Sequence, residues 1–202
     1  MTGLRASGRA WVFGDAVNTD EMFPGFAMRM PTEEAARHMF DATRPGWPAL
    51  VRPGDIVVAG RNFGLGSSRP VPLLFKALGV AAVAAEQFNS LFYRNCVNYG
   101  LLAVAVPGAR GLVTEGDTVT VDPVAGRLVN ETTGAAGEGT PLPPLLLDIV
   151  RAGGIFPRLE AAGKLRPRQW RRGPRLVQLR ACRGARQGRP SLDGNLAKEV
   201  CK

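Results

Sequence analysis

Residues 55–69 constrain this chain more tightly than any other stretch, because they read as a strand running into a sharp turn and then a helix. Asp55 to Ala59 read as a buried strand, apolar and largely β-branched, preceded by the turn signal Pro53-Gly54. Gly60, Gly64 and Gly66 free the backbone at the bend. Pro70 suits the first turn of a helix, which sets Ser67, Ser68 and Arg69 where strand end meets helix start. Two readings are open. In one, outward helix amides, the helix dipole, two hydroxyls and a guanidinium form an anion cradle, with the planar guanidinium holding a carboxylate or phosphate bidentately. In the other, the serines only cap the helix. The stretch is not a Walker loop, since no Gly-Lys-Ser/Thr follows, and Arg69 stands where the dinucleotide fingerprint has its third glycine.

The flanking sequence extends the pattern. Residues 71–78 read as a helix carrying Leu74 and Leu78 and closed by Gly79. Residues 80–85 are continuously small and apolar, as in a parallel strand buried on both faces. A helix over 88–96 would turn Phe88, Leu91 and Phe92 inward, and 101–106 make another apolar strand. This alternation marks βαβ units. Upstream lie a strand over 10–13, a polar loop over 15–20, and a helix from Thr32, taken as its N-cap, to just before Pro45-Gly46. Downstream, residues 117–122 alternate apolar and polar, 127–130 offer a partner strand, and 143–151 read as a last helix. The expected class is α/β, a hairpin packed beside a βαβ core.

Charge separates the chain into two parts. Residues 1–156 hold 13 Lys and Arg against 14 Asp and Glu, whereas 157–202 hold 13 against 3. The globular part is therefore not basic, and a nucleic-acid reading rests on the tail alone. Residues 164–202 are rich in Arg, Gly, Pro and Gln with sparse, aperiodic apolar residues, so a disordered basic extension is expected after a domain spanning 1–163. No run of about 18 apolar residues exists to span a membrane, and no secretory signal opens the chain. The three cysteines, Cys96, Cys182 and Cys201, are dispersed and form neither a CxxC pair nor an even disulfide set. A cytoplasmic location follows as the simplest expectation. An iron–sulfur cluster, which takes three or four cysteine ligands, is not expected on this chain alone.

Several stretches together resemble one family. They are Gly14-Asp-Ala-Val-Asn-Thr-Asp20, Gly60-Arg-Asn-Phe-Gly-Leu-Gly-Ser-Ser-Arg69, the segment from Ala85 through Asn89, Tyr93, Asn95 and Asn98 to Leu102, and the closing Gly153-Gly-Ile-Phe-Pro157. In this order they resemble the small subunit of 3-isopropylmalate dehydratase, which is equivalent to the swivelling C-terminal domain of aconitase, and they cover about residues 8–163. Leu65 stands where the family turn often has Cys, and Pro70-Val71 where it has Glu-His. The Pro form is similar to a dehydratase branch that includes dimethylmalate-type enzymes, which leaves the substrate's side group open.

The resemblance implies a swivelling β/β/α domain and a hydro-lyase of two kinds of chain. A large subunit would carry a [4Fe–4S] cluster, whose iron acts as Lewis acid on the leaving hydroxyl of a 2-hydroxy diacid. This chain would bind no cofactor itself. It implies Ser67 as the catalytic base, with Ser68 and Arg69 binding a substrate carboxylate and Arg29 facing the variable part of the substrate. Other candidates read as structural: Asn18 and Asp20 as an Asx-turn, Asn95 and Asn98 as partners of buried backbone near the turn, His38 as a surface partner of Glu34, and Cys96 as a small core residue. The alternatives kept beside isopropylmalate chemistry are a related dehydratase, such as one for 2,3-dimethylmalate, and a non-catalytic module whose basic tail docks nucleic acid.

Overall fold

Strand β1, Ala6–Val12, changes partner half-way along, and the sheet is built outward from that change. The computed structural model describes residues 4–66 and 69–165. The first half of β1 pairs antiparallel with β5, Thr118–Asp122, with Ala6 opposite Val121 and Arg9 opposite Thr118. Its second half pairs parallel with β2, Ile56–Ala59, with Ala10 opposite Ile56 and Val12 opposite Val58. Gly8 permits the switch, because a Cβ there would lie 2.0 Å from the carbonyl oxygen of Gly54. On the parallel side follow β3, Ala82–Ala85, and β4, Leu102–Ala105. On the antiparallel side follow β6, Arg127–Asn130, and β7, Ala136–Glu138. Across the sheet the order is β4-β3-β2-β1-β5-β6-β7.

Strands β2 and β3 are buried along their whole length because both faces of the parallel half are covered. Val57, Ala59, Val83 and Ala85 face one core, and Ile56, Val58, Ala82 and Ala84 face the other. The first core is aromatic. Trp47 packs edge-on against Phe13, Phe40 and Phe75, and Phe63 meets Phe92 edge-on at 5.5 Å. It is covered by helices α2, Thr32–Ala36, α3, Trp47–Leu50, and α4, Val71–Ala77. The second core is aliphatic and is covered by α6, Pro144–Arg151. Helix α5, Ser90–Asn98, contributes Phe92 and Cys96 to the first core and Val97 to the second. Helices α1, Thr19–Met22, and α7, Ile155–Ala161, are short additions, as are 3₁₀ turns over Gly25–Arg29 and Ala109–Leu112.

One buried charge fastens the two halves of β1 to the turn before β2. The Asp55 carboxylate, 3% exposed, accepts from Arg9 and from the Trp11 indole at 2.7 Å each, and from the Arg52 amide at 2.9 Å. Burial alone would raise its pKa, but these donors outweigh it and hold the carboxyl below its ordinary range.

The expected βαβ alternation over 55–106 is present, with each strand trimmed by one or two residues. The region after Thr32 differs. Pro31 stands at the cap position, and the helix stops at Ala36, well short of Pro45. Phe40 takes a left-handed φ of 58° and its amide donates to the Glu21 carbonyl, so the chain bends inward and carries Met39 and Phe40 into the core. Strand β7 was not expected: Ala136, Gly137 and Glu138 lack strand character, and β6 recruits them as an edge. The expected extension beyond residue 165 lies outside the described residues.

Candidate active site

The turn after β2 lies in a slot between two other loops that leave the same end of the sheet. On one side is the segment after β1. Gly60 N donates to Gly14 O at 3.2 Å, Arg61 N to the Asp15 carboxylate at 2.8 Å, and Ala16 N to Arg61 O at 2.7 Å. Farther along, Gly64 N and Leu65 N both donate to Val17 O, and Thr19 N donates to Leu65 O at 2.7 Å. On the other side is the segment after β3, where Phe63 N donates to Gln87 O and Asn89 N to Phe63 O, both at 2.9 Å. Loops at the carboxyl ends of parallel strands are where α/β folds place ligands. Two glycines are required by this close packing. A Cβ on Gly60 would lie 1.8 Å from the Asp15 carboxylate oxygen, and one on Gly64, whose φ is +85°, would lie 2.2 Å from the Phe92 ring.

Arg69 leaves this turn with its guanidinium turned back onto the loop after β1. One terminal nitrogen donates to the Phe23 carbonyl, and the other pairs with the Asp20 carboxylate at 3.0 Å. The Arg69 side chain is 18% exposed, so it sits in a cleft and not on the open surface. Beyond it, a cavity of about 190 Å³ is lined mainly by apolar groups, among them Phe23, Met28, Met30, Ala35, Pro70 and Leu74. The cation and the cavity meet at Phe23, whose carbonyl takes the guanidinium and which also lines the cavity.

The described part of the helix start, residues 70–73, does not supply the expected amide donors. Pro70 caps α4 and Pro72 is its second residue, so neither has an N–H. The Val71 amide donates back to Arg69 O at 2.8 Å and the Leu73 amide to Pro70 O at 3.0 Å. These first-turn amides are spent on local turns. Among the described residues, the positive group at this point is Arg69.

Among the expected site residues, Ser67 and Ser68 lie outside the described residues, between Gly66 and Arg69. Arg29 is exposed at the end of the 3₁₀ turn, flanked by Met28 and Met30 of the apolar cavity. Asn18 does form the expected Asx cap, accepting from the Asp20 amide at 2.9 Å. Asp20 does more than that, since its carboxylate holds Arg69. Sequence spacing carries no sign of this pair, because the partners are 49 positions apart and meet only when the two loops pack. Asn98 is exposed rather than serving buried backbone, and the helix cap in this region is Asn89, which accepts from the Leu91 amide at 3.1 Å. His38 pairs with Asp41 at 2.8 Å rather than with Glu34, because α2 has already ended.

The described residues do not fit an iron–sulfur cluster. Cys96 is fully buried and its thiol is pushed far above the ordinary range by burial, which disfavours the thiolate a metal requires. Among the described residues no group of three or more His, Cys, Asp or Glu side chains could hold a metal ion. Nor, among them, is any helix long and apolar enough to cross a membrane.

The same architecture occurs in known proteins. A model of the aconitase C-terminal domain matches residues 20–109. The 3-isopropylmalate dehydratase small subunit 1 of Methanopyrus kandleri is 40% identical over 158 residues, which is 77% of this chain and 93% of that protein. The chain belongs to the family of 3-isopropylmalate dehydratase small subunits. It is thus a hydro-lyase subunit with the aconitase swivel-domain fold. Other members matched are the isopropylmalate/citramalate isomerase small subunit of Methanocaldococcus jannaschii, 41% identical over 76% of this chain and 92% of that one. The methanogen homoaconitase small subunit of Methanothermobacter thermautotrophicus is 41% identical over 73% and 86%. The crystal structure of a 3-isopropylmalate dehydratase from Methanocaldococcus jannaschii superimposes with a TM-score of 0.73 at 33% identity, covering 79% of this chain and 95% of that one. The mixed sheet is thus the architecture of this family.

Proposed function

We propose that this chain works with a cluster-bearing large subunit in the reversible dehydration of a 2-hydroxy diacid of the 3-isopropylmalate type. The observation that carries the reading is Arg69, a guanidinium seated in a cleft beside an apolar cavity. In this reading Arg69 binds one substrate carboxylate, Ser68 hydrogen-bonds the same group, and Ser67 takes the proton from the carbon α to it. A serine is a weak base unless its alkoxide is stabilised, and a nearby fixed guanidinium in a water-poor cleft supplies that stabilisation. The [4Fe–4S] cluster of the large subunit supplies, when bound, Lewis-acid activation of the leaving hydroxyl. Arg29 lies at the rim of the side-group pocket.

The relatives' names cover isopropylmalate, citramalate and homoaconitase chemistry. The mainly apolar lining by Phe23, Met28, Met30, Ala35 and Leu74 supports an apolar side group, whereas a further carboxylate would have to reach Arg29 at the exposed rim to find a counter-charge. A smaller apolar group, as in 2,3-dimethylmalate, fits the same logic, and a panel of unsaturated diacids separates the two.

The test uses the chain co-expressed with its large subunit. Ser67→Ala is expected to lower kcat on the order of 100- to 10,000-fold with little change in KM, since the base acts mainly in the transition state. Near-normal turnover by a folded Ser67→Ala enzyme would end this assignment and return the serines to a capping role.

A further inference from the structure

We propose that Asp20 is a positioning residue for substrate binding, holding the Arg69 guanidinium in the orientation that receives a carboxylate; this rests on the reading of Arg69 as the carboxylate clamp. The pair joins two loops. Asp20 lies in the first turn of α1, where the Asn18 side chain accepts from its amide, and the adjacent Thr19 amide is tied to Leu65 O of the opposite turn. The Asp20 backbone is therefore fixed from both sides. Its carboxylate takes one terminal nitrogen of Arg69 at 3.0 Å, while Phe23 O takes the other. A guanidinium carries five N–H donors in one plane, so two anchors on separate nitrogens fix that plane, and the contacts with described residues occupy only these two donors.

Two effects of Asp20 oppose each other. Its negative charge repels an incoming carboxylate, and its hydrogen bond orients the clamp. Asp20 is 59% exposed, so its repulsion acts largely through water and is screened. Orientation is not screened, and a misplacement of about 1 Å at a reacting site costs on the order of 100-fold in rate. Positioning therefore wins.

The experiment is steady-state kinetics of the reconstituted two-subunit enzyme on 3-isopropylmalate with Asp20→Ala, Asp20→Asn, Arg69→Lys and the Asp20→Ala/Arg69→Lys double variant, each checked for folding by circular dichroism. Asp20→Ala is expected to raise KM roughly tenfold and to lower kcat by up to about 100-fold. Asp20→Asn keeps an acceptor of nearly the same shape and is expected to lose less. In the Arg69→Lys background, Asp20→Ala is expected to add little, because both changes act on one group. A lower KM in Asp20→Ala would show that the carboxylate competes with substrate and overturn the proposal, as would unchanged kinetics in both Asp20 variants or strictly additive losses in the double variant. Should Asp20→Ala not fold, Asp20→Asn, altered at an exposed position, decides alone: parental KM and kcat overturn the proposal. The two readings separate through Arg69→Lys. Parental kinetics there sink the clamp itself, whereas a defect there beside normal Asp20 variants sinks only the positioning role.

Discussion

Replacing Gly64 by alanine is expected to destabilise the chain by about 2–5 kcal/mol, and two separable costs make up that figure. Gly64 has a φ of +85°, which costs an L-residue about 1–2 kcal/mol. The new methyl group would also lie 2.2 Å from Cγ, 2.3 Å from Cβ and 2.7 Å from Cδ1 of Phe92. Phe92 is 2% exposed and is held edge-on by Phe63 and stacked by Phe88, so it cannot swing aside. Overpacking of this kind costs about 1–3 kcal/mol. Gly108 supplies the control: its φ is +76°, but nothing lies within 4 Å of a Cβ there. Gly108→Ala should show only the backbone cost. The assay is urea denaturation followed by circular dichroism, with a lower midpoint and an unchanged slope expected for both variants. Equal losses at the two positions would refute the packing argument. A loss below about 0.5 kcal/mol at Gly64 would refute both parts of it.

Two further outcomes are expected. Asp55→Ala leaves the buried Trp11 indole and the Arg52 amide without their acceptor, while the partly exposed Arg9 keeps the Leu50 carbonyl, so a loss of about 1–3 kcal/mol is expected in the same assay. Because the folded-state pKa of Asp55 is depressed, its contribution is present above the unfolded-state pKa of about 3.9 and is lost as pH falls through the folded value, which an acid titration of stability reads directly. Ending the chain after Lys164 is expected to leave solubility, partner binding and turnover intact; salt-dependent nucleic-acid binding that disappears on truncation would instead give the basic tail a function.

The parallel half of the sheet was legible because β2, β3 and β4 are short unbroken apolar runs, each preceded by a glycine turn, as strands buried on both faces are. The hairpin was legible for the opposite reason, since Val119 and Val121 alternate with threonines over one covered face. What escaped was tertiary. Phe40 follows a helical spacing that the left-handed bend overrides, and Gly137 enters β7 because only a residue without a side chain can lie against Leu112 and Val106, with an added Cβ 2.6 Å from the first. At the site, Arg69 was recognisable as a cation on a turn, but its acid partner was not. The missing amides of α4 were within reach of the sequence, since Pro70 and Pro72 lack an N–H wherever they stand.

That correction changes where the affinity for an anion resides. A helix terminus contributes about 0.3–1 kcal/mol through its dipole, and α4 is a seven-residue helix whose second residue has no amide to offer. A hydrogen bond to a charged group contributes about 1.5–3 kcal/mol, and among the described residues Asp20 and Phe23 take only two of the Arg69 donors. On the proposed reading, charge recognition among the described residues of this turn rests on Arg69, and its accuracy on the loop that holds that side chain. The same loop carries Phe23 into the wall of the apolar cavity and leads through Pro24 to the turn bearing Met28. Movement of this loop would shift the carboxylate clamp and the side-group pocket together. On the proposed reading, a substitution in the 3₁₀ turn that alters the choice of side group is therefore expected to alter carboxylate binding as well, whereas one on the Leu73–Leu74 wall is expected to alter the side group alone.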